Sequence, residues 1–136
     1  MTQISFISKL YESHKNCIFV GSLGNISKDL QKIDDGTNHI VPIKGAMGGA
    51  IGVGIGIAIS QPKQVFVLIG DGSFLMKAGS MAAVLKEYRF SYKHNLKIYI
   101  LNNNSYQSCG GQKTNFNSFK PFLKEHKELF EIIDLC

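Results

Sequence analysis

The sequence predicts a single α/β domain whose sheet is mostly parallel, with helices on both faces. The unbroken apolar run Val65-Phe66-Val67-Leu68-Ile69 suits a strand covered on both sides, and Lys97-Ile98-Tyr99-Ile100-Leu101 reads as the next buried strand. Between and around them lie stretches with helical spacing, which gives the alternation of a βαβ chain. Each run ends in small polar residues: Gly70-Asp71-Gly72-Ser73 after the first and Asn102-Asn103-Asn104-Ser105 after the second. A length of 136 residues with 44% hydrophobic content supports one core and leaves no space for a second domain of this kind.

The remaining elements follow in order. Cys17-Ile18-Phe19-Val20 reads as a short buried strand ending at Gly21, with a turn cluster over Gly21-Ser22-Leu23-Gly24-Asn25. Ser27 to Ile33 reads as a short helix stopped by Asp34-Asp35-Gly36, and His39-Ile40-Val41 as a further extended piece. Gly45 to Ser60 is uncharged and holds six glycines, and it predicts a buried helix ending before Pro62. At sixteen residues it is shorter than the roughly 20 a bilayer span needs, so no membrane span is expected. Phe74 to Glu87 has helical spacing through Leu75, Ala78, Ala82 and Leu85, and Phe119 to Leu135 is expected to be helical as well. Asn102 to Asn117 is polar and reads as a loop.

Composition narrows the chemistry. Charged residues make up 18%, too few beside this apolar content for a disordered chain. The net charge of +5 suits an anionic small ligand or a polyanion equally. Cys17, Cys109 and Cys136 are odd in number and far apart, which argues against a disulfide framework or a zinc site and for a reducing cytoplasm. The N-terminus lacks the basic-then-apolar pattern of a signal peptide. Tyr88 to Asn95 interleaves aromatics with bases; a solvated connection accounts for it better than a nucleic-acid patch.

In parallel sheets, ligands sit at the carboxyl ends of strands. There, Gly70 and Gly72 allow close backbone approach, and the N–H groups of Gly72 and Ser73 at a helix start would cradle phosphate. Asp71 would repel a phosphate unless a divalent cation lies between them, and Mg²⁺ needs few protein oxygens besides those of the phosphate. A carboxamide oxygen from Asn102-Asn103, at the end of the adjacent strand, would complete such a site. The spacing fits neither the dinucleotide-binding glycine fingerprint, since Leu75 stands where its third glycine belongs, nor a P-loop.

Gly70-Asp71-Gly72, then 29 residues, then Asn102-Asn103 resembles the fingerprint of thiamine diphosphate enzymes: 2-oxoacid decarboxylases, acetolactate synthases and transketolases. The segments Gly24 to Leu30, Gly70 to Lys77 and Asn103 to Gln112 are similar to those of small-chain phosphonopyruvate and sulfopyruvate decarboxylases. The resemblance implies a thiamine diphosphate-binding fold over residues 1–136, with a C-terminus shortened by nature or by truncation. It implies Mg²⁺ on Asp71, the Asn103 side chain and the Ser105 carbonyl. The N–H groups of Gly72 and Ser73, with Ser22, would hold the diphosphate, and Gly24, Gly48, Gly70, Ser105 and Tyr106 would be further cofactor-binding residues. Met47, between Ala46 and Gly48, would prop the bent cofactor, and the Gly45 carbonyl would accept from its amino group.

In such enzymes a glutamate on a separate pyrimidine-binding domain activates the cofactor. Glu12, Glu87, Glu125, Glu128 and Glu131 all lie in charged or amphipathic stretches, so no catalytic residue is assigned here. The resemblance therefore implies one half of a split decarboxylase for a small anionic 2-oxoacid, with a pyrimidine-binding partner chain. Lys77 and Lys113 are further candidates for meeting the anion. A carboligase subunit, a non-catalytic cofactor-binding subunit and a nucleic-acid-binding protein are the alternatives.

Overall fold

The computed structural model describes residues 1–106 and 110–135, excepting the side chain of Lys93. Gln107, Ser108 and Cys109, part of the third family-like segment, lie outside the described residues, as does Cys136.

Among the described residues five strands form one all-parallel sheet: β1 (Ile18–Gly21), β2 (His39–Pro42), β3 (Val65–Gly70), β4 (Leu96–Asn102) and β5 (Phe130–Asp134). Their spatial order is β2-β1-β3-β4-β5. Among the described residues six α-helices accompany them: α1 (Gln3–Glu12), α2 (Asn25–Ile33), α3 (Ala50–Ser60), α4 (Asp71–Met76), α5 (Met81–Tyr88) and α6 (Lys120–Glu125).

Strand alternation divides the core in two. On one face Val65, Val67 and Ile69 join Ile51, Ile55 and Ala58 of α3, Val84 of α5 and Leu123 of α6. On the other, Phe66 and Leu68 join Ile7 and Leu10 of α1 and Ile26 and Leu30 of α2. The unbroken apolar run of β3 is thus a strand buried on both faces, and helices do cover both.

The sheet order also fixes where a ligand fits. From β1 the chain proceeds outward to β2, whereas from β3 it proceeds the opposite way to β4 and β5. The turns after β1 and β3 therefore part, and leave a crevice above the carboxyl ends of the two strands.

Three expectations need correction, and one helix is an addition to them. Phe119 to Leu135 is not one helix: a 3₁₀ turn over Phe116–Phe119 leads into α6, and Phe130–Asp134 is the edge strand β5. Its Phe-Glu-Ile-Ile-Asp pattern buries Phe130 and leaves Glu131 and Asp134 exposed. The helical pattern from Phe74 to Glu87 starts earlier and breaks in two, separated by a 3₁₀ turn over Ala78–Ser80. The glycine-rich helix begins at Ala50; before it, Ala46 and Gly48 adopt positive φ (52° and 87°) and make a turn. Finally, α1 has no counterpart in the sequence reading, although Thr2 caps it by accepting the Ser5 N–H at 3.3 Å.

Over the connection between α5 and β4, Phe90 and Tyr92 are exposed, while Tyr88 packs on His94 with ring centroids 4.8 Å apart. Among the described residues no helix is long and apolar enough to cross a membrane. Cys17 is a buried free thiol, and burial raises its pKa.

Candidate functional site

The crevice between the turns after β1 and β3 is a pocket. It is lined by Ser22, Leu23, Asn25 and Ile26 after β1, by Gly70 to Ser73 after β3, and by Leu101, Asn103, Ser105 and Tyr106 from the end of β4. Gln3 of α1 and Met47, ahead of α3, complete its lining.

Each turn is shaped by identifiable contacts. The Ser27 hydroxyl donates to the carbonyls of Gly21 (2.8 Å) and Ser22 (2.7 Å), tying the start of α2 to the end of β1. The Ser22 N–H donates to the Leu68 carbonyl at 2.9 Å, so this turn stays in register with β3. Gly24 precedes α2 with φ 89° and ψ −139°, a conformation that side chains with a Cβ avoid.

Asp71 opens α4 and is 1% exposed. Its Oδ1 accepts the Asn103 N–H at 3.3 Å, and its Oδ2 accepts the Thr114 hydroxyl at 2.5 Å. Gly72 follows, with the Tyr106 ring so close that a Cβ there would stand 2.7 Å from Tyr106 Cδ1. The Asn103 Oδ1 accepts the Ser105 N–H at 3.0 Å, which folds the chain back after β4. The adjacent Asn102 is turned the other way: its amide donates to Asp134 Oδ1 at 2.7 Å and its Oδ1 accepts the Asn104 N–H at 3.1 Å. Asn102 therefore anchors β4 to β5, and Asn103 lines the pocket.

Of the residues singled out from sequence, Ser22, Met47, Gly70, Asp71, Gly72, Ser73, Asn103, Ser105 and Tyr106 line this one pocket. Gly24, Gly45 and Gly48 are not among its lining residues. A Cβ on Gly48 would lie 2.3 Å from Lys77 Cγ and 2.7 Å from the Ser73 carbonyl, so glycine there lets the turn before α3 press against α4. The stem of Lys77 forms part of that contact. Lys113 pairs with Ser105 in an antiparallel bridge and borders a neighbouring groove with Asn103, Asn104 and Thr114. Gln3 and Leu101 line the pocket too, yet no sequence motif singles them out; Leu23, Asn25 and Ile26, also in the lining, fall within the turn cluster after β1 and the Gly24 to Leu30 segment, where the sequence assigns them no role. The signals available were the Thr2 cap for Gln3 and the position beside Gly24 for Asn25.

The donor set suits a hard divalent cation. It offers one carboxylate, one carboxamide oxygen and main-chain carbonyls, an all-oxygen combination that Mg²⁺ accepts together with phosphate and water. Among the described residues no group of three His, Cys, Asp or Glu side chains could hold a softer metal. None of the five glutamates lines the pocket: Glu87 is half-buried and the other four are exposed.

Comparison with known proteins agrees with this geometry. A family profile described as "Thiamine pyrophosphate enzyme, C-terminal TPP binding domain" matches residues 20–135. The chain is 37% identical to a phosphonopyruvate decarboxylase of Streptomyces viridochromogenes over 114 residues, covering 83% of this chain and 28% of that protein. Against a phosphonopyruvate decarboxylase of Streptomyces hygroscopicus identity is 41% over 95 residues, covering 70% and 22%. Against the sulfopyruvate decarboxylase subunit beta of Methanothermobacter thermautotrophicus it is 32% over 114 residues, covering 84% and 59%. The chain thus spans less than two thirds of the length of these relatives. From the crevice at the strand ends to the matched profile, the chain belongs to the family of C-terminal, thiamine pyrophosphate-binding domains of thiamine pyrophosphate enzymes.

Proposed function

We propose that this chain is the diphosphate-binding part of a thiamine diphosphate- and Mg²⁺-dependent decarboxylase for a small anionic 2-oxoacid of the phosphonopyruvate or sulfopyruvate type. The observation that carries the reading is the buried Asp71 carboxylate sharing one pocket with Asn103, Ser105 and the Gly72-Ser73 backbone. A buried carboxylate is stable as an anion only among donors or cations, and Mg²⁺ bound to a diphosphate supplies the cation.

In this reading Asp71, the Asn103 carboxamide and the Ser105 carbonyl hold Mg²⁺, and the N–H groups of Gly72 and Ser73 bind the diphosphate. Met47, in the lining of the same pocket, limits the shapes a bound cofactor can take. Thiamine diphosphate, once bound, supplies the electron sink that decarboxylation of a 2-oxoacid requires. Leu23, Ile26 and Leu101 keep water from part of the pocket wall.

Among the described residues, a carboxylic acid that could protonate the cofactor ring is missing from this pocket, since its one acidic side chain is the buried Asp71. The activating glutamate therefore comes from a partner chain or from a further part of the protein. Support for a separate chain comes from relatives named as beta subunits. The test is purification from native lysate with Mg²⁺ and thiamine diphosphate, followed by decarboxylation assays with phosphonopyruvate and sulfopyruvate. Activity is expected only in the fraction holding a stoichiometric companion; appreciable turnover by this chain alone would refute the split arrangement.

A further inference from the structure

The Asp71 carboxylate, in the pocket lining, accepts a hydrogen bond from a residue that is not part of that lining. Thr114 is 43 positions away from Asp71 in sequence, and its hydroxyl donates to Asp71 Oδ2 at 2.5 Å, the shorter of the two hydrogen bonds described for that carboxylate. The other, from the Asn103 N–H, is 3.3 Å long and correspondingly weak. Thr114 does not line the Asp71 pocket; it borders the neighbouring groove with Asn103, Asn104, Lys113 and Asn117.

The backbone of Thr114 is fixed independently of Asp71. Its N–H donates to the Asn104 carbonyl at 3.1 Å, and the preceding Lys113 bridges Ser105. The Tyr106 N–H donates to the Gln112 carbonyl at 2.8 Å, so both limbs of the loop after β4 are joined on the described residues. A hydroxyl carried on this ribbon reaches one carboxylate oxygen from the groove side. Asp71 is thereby held with one oxygen toward Thr114 and the other toward the Asn103 backbone.

We infer that Thr114 is a positioning residue for Asp71, setting the carboxylate rotamer on which Mg²⁺ affinity depends. The inference rests on the Mg²⁺-thiamine diphosphate reading of the pocket. A donor that orients a metal-binding carboxylate typically changes metal affinity by about 10- to 100-fold when removed. Threonine allows a clean test, because Thr114→Val keeps the shape and deletes the hydroxyl, and Thr114→Ser keeps the hydroxyl and deletes the methyl.

The measurement is Mn²⁺ binding to the full chain with its copurified companion by electron paramagnetic resonance, with saturating thiamine diphosphate and no substrate. Thr114→Val is expected to weaken Mn²⁺ binding at least about tenfold, and Thr114→Ser to stay within about twofold of the wild type. If circular dichroism shows the valine variant misfolded, Thr114→Ala takes its place. Valine binding within about twofold of wild type, or serine binding as weak as valine, overturns the inference. A wild-type complex that binds no Mn²⁺ overturns the cofactor reading instead. In that event the link to Asp71 is read from metal-free melting of Thr114→Val, Asp71→Asn and the double variant: non-additive shifts support it and additive shifts overturn it.

Discussion

At the residue scale, burial and donor count make Asp71 the focus of the site. It is 1% exposed, and its described partners leave lone pairs on both oxygens available to a cation. Replacing it by alanine removes the carboxylate but leaves β3 and the start of α4 intact. Asp71→Ala is expected to abolish Mg²⁺-dependent thiamine diphosphate binding with an unchanged far-ultraviolet circular dichroism spectrum, as calorimetric titration would show. Gly72 makes a second prediction. A methyl there would stand 2.7 Å from the Tyr106 ring, so Gly72→Ala should cost about 1–3 kcal/mol in urea unfolding. Adding Tyr106→Ala should recover part of that loss, because the obstruction is a side chain.

At the scale of elements, α3 separates two kinds of glycine. Gly54 faces the sheet, where a Cβ would meet Val67 Cγ2 at 2.2 Å, whereas Gly52 has nothing within 4 Å of the corresponding position. Gly54→Ala should therefore destabilise by about 1–3 kcal/mol through overpacking. Gly52→Ala should stabilise by about 0.5–1 kcal/mol through helix propensity. Thermal melts of the two variants should shift in opposite directions.

Elements with a strong local signal are legible in the amino-acid sequence. The β3 and β4 runs, the turn of Gly70 to Ser73 and the end of β4 at Asn102 all follow from short-range chemistry. The C-terminal segment is ambiguous locally, because Phe122, Leu123, Leu129, Phe130 and Ile132 allow a helical spacing, and only pairing of Phe130 opposite Ile98 makes β5 a strand. The break near Lys77 is hidden for a related reason: Lys77 packs on Gly48, a contact no local pattern reveals. Pocket residues within the glycine turns carry their own signal. Gln3 does not, since α1 reaches the site only through tertiary packing, and the same holds for the Thr114 hydroxyl on Asp71.

For the whole molecule, the edge strand makes a small contribution to acid sensitivity. The Asn102 amide, and then the Lys120 ammonium at 3.1 Å, hold the Asp134 carboxyl below its usual pKa. A depressed pKa contributes stability above the unfolded-state value of about 3.9, and that contribution is lost as pH falls through the folded-state value. Melting temperature should thus fall on acidification below about pH 4, and Asp134→Asn should flatten that part of the profile. The effect is small, because the aspartate is mostly solvated.

At the same scale, the proposed reading makes this pocket a site for diphosphate and metal, and no glutamate among the described residues lines it. The most direct test is a calorimetric titration of thiamine diphosphate into the full chain with its copurified companion, with Mg²⁺ and then with chelator. Saturable one-to-one binding that requires Mg²⁺ and vanishes in Asp71→Ala is the predicted result. Binding that is indifferent to both Mg²⁺ and Asp71 would contradict the assignment of this pocket.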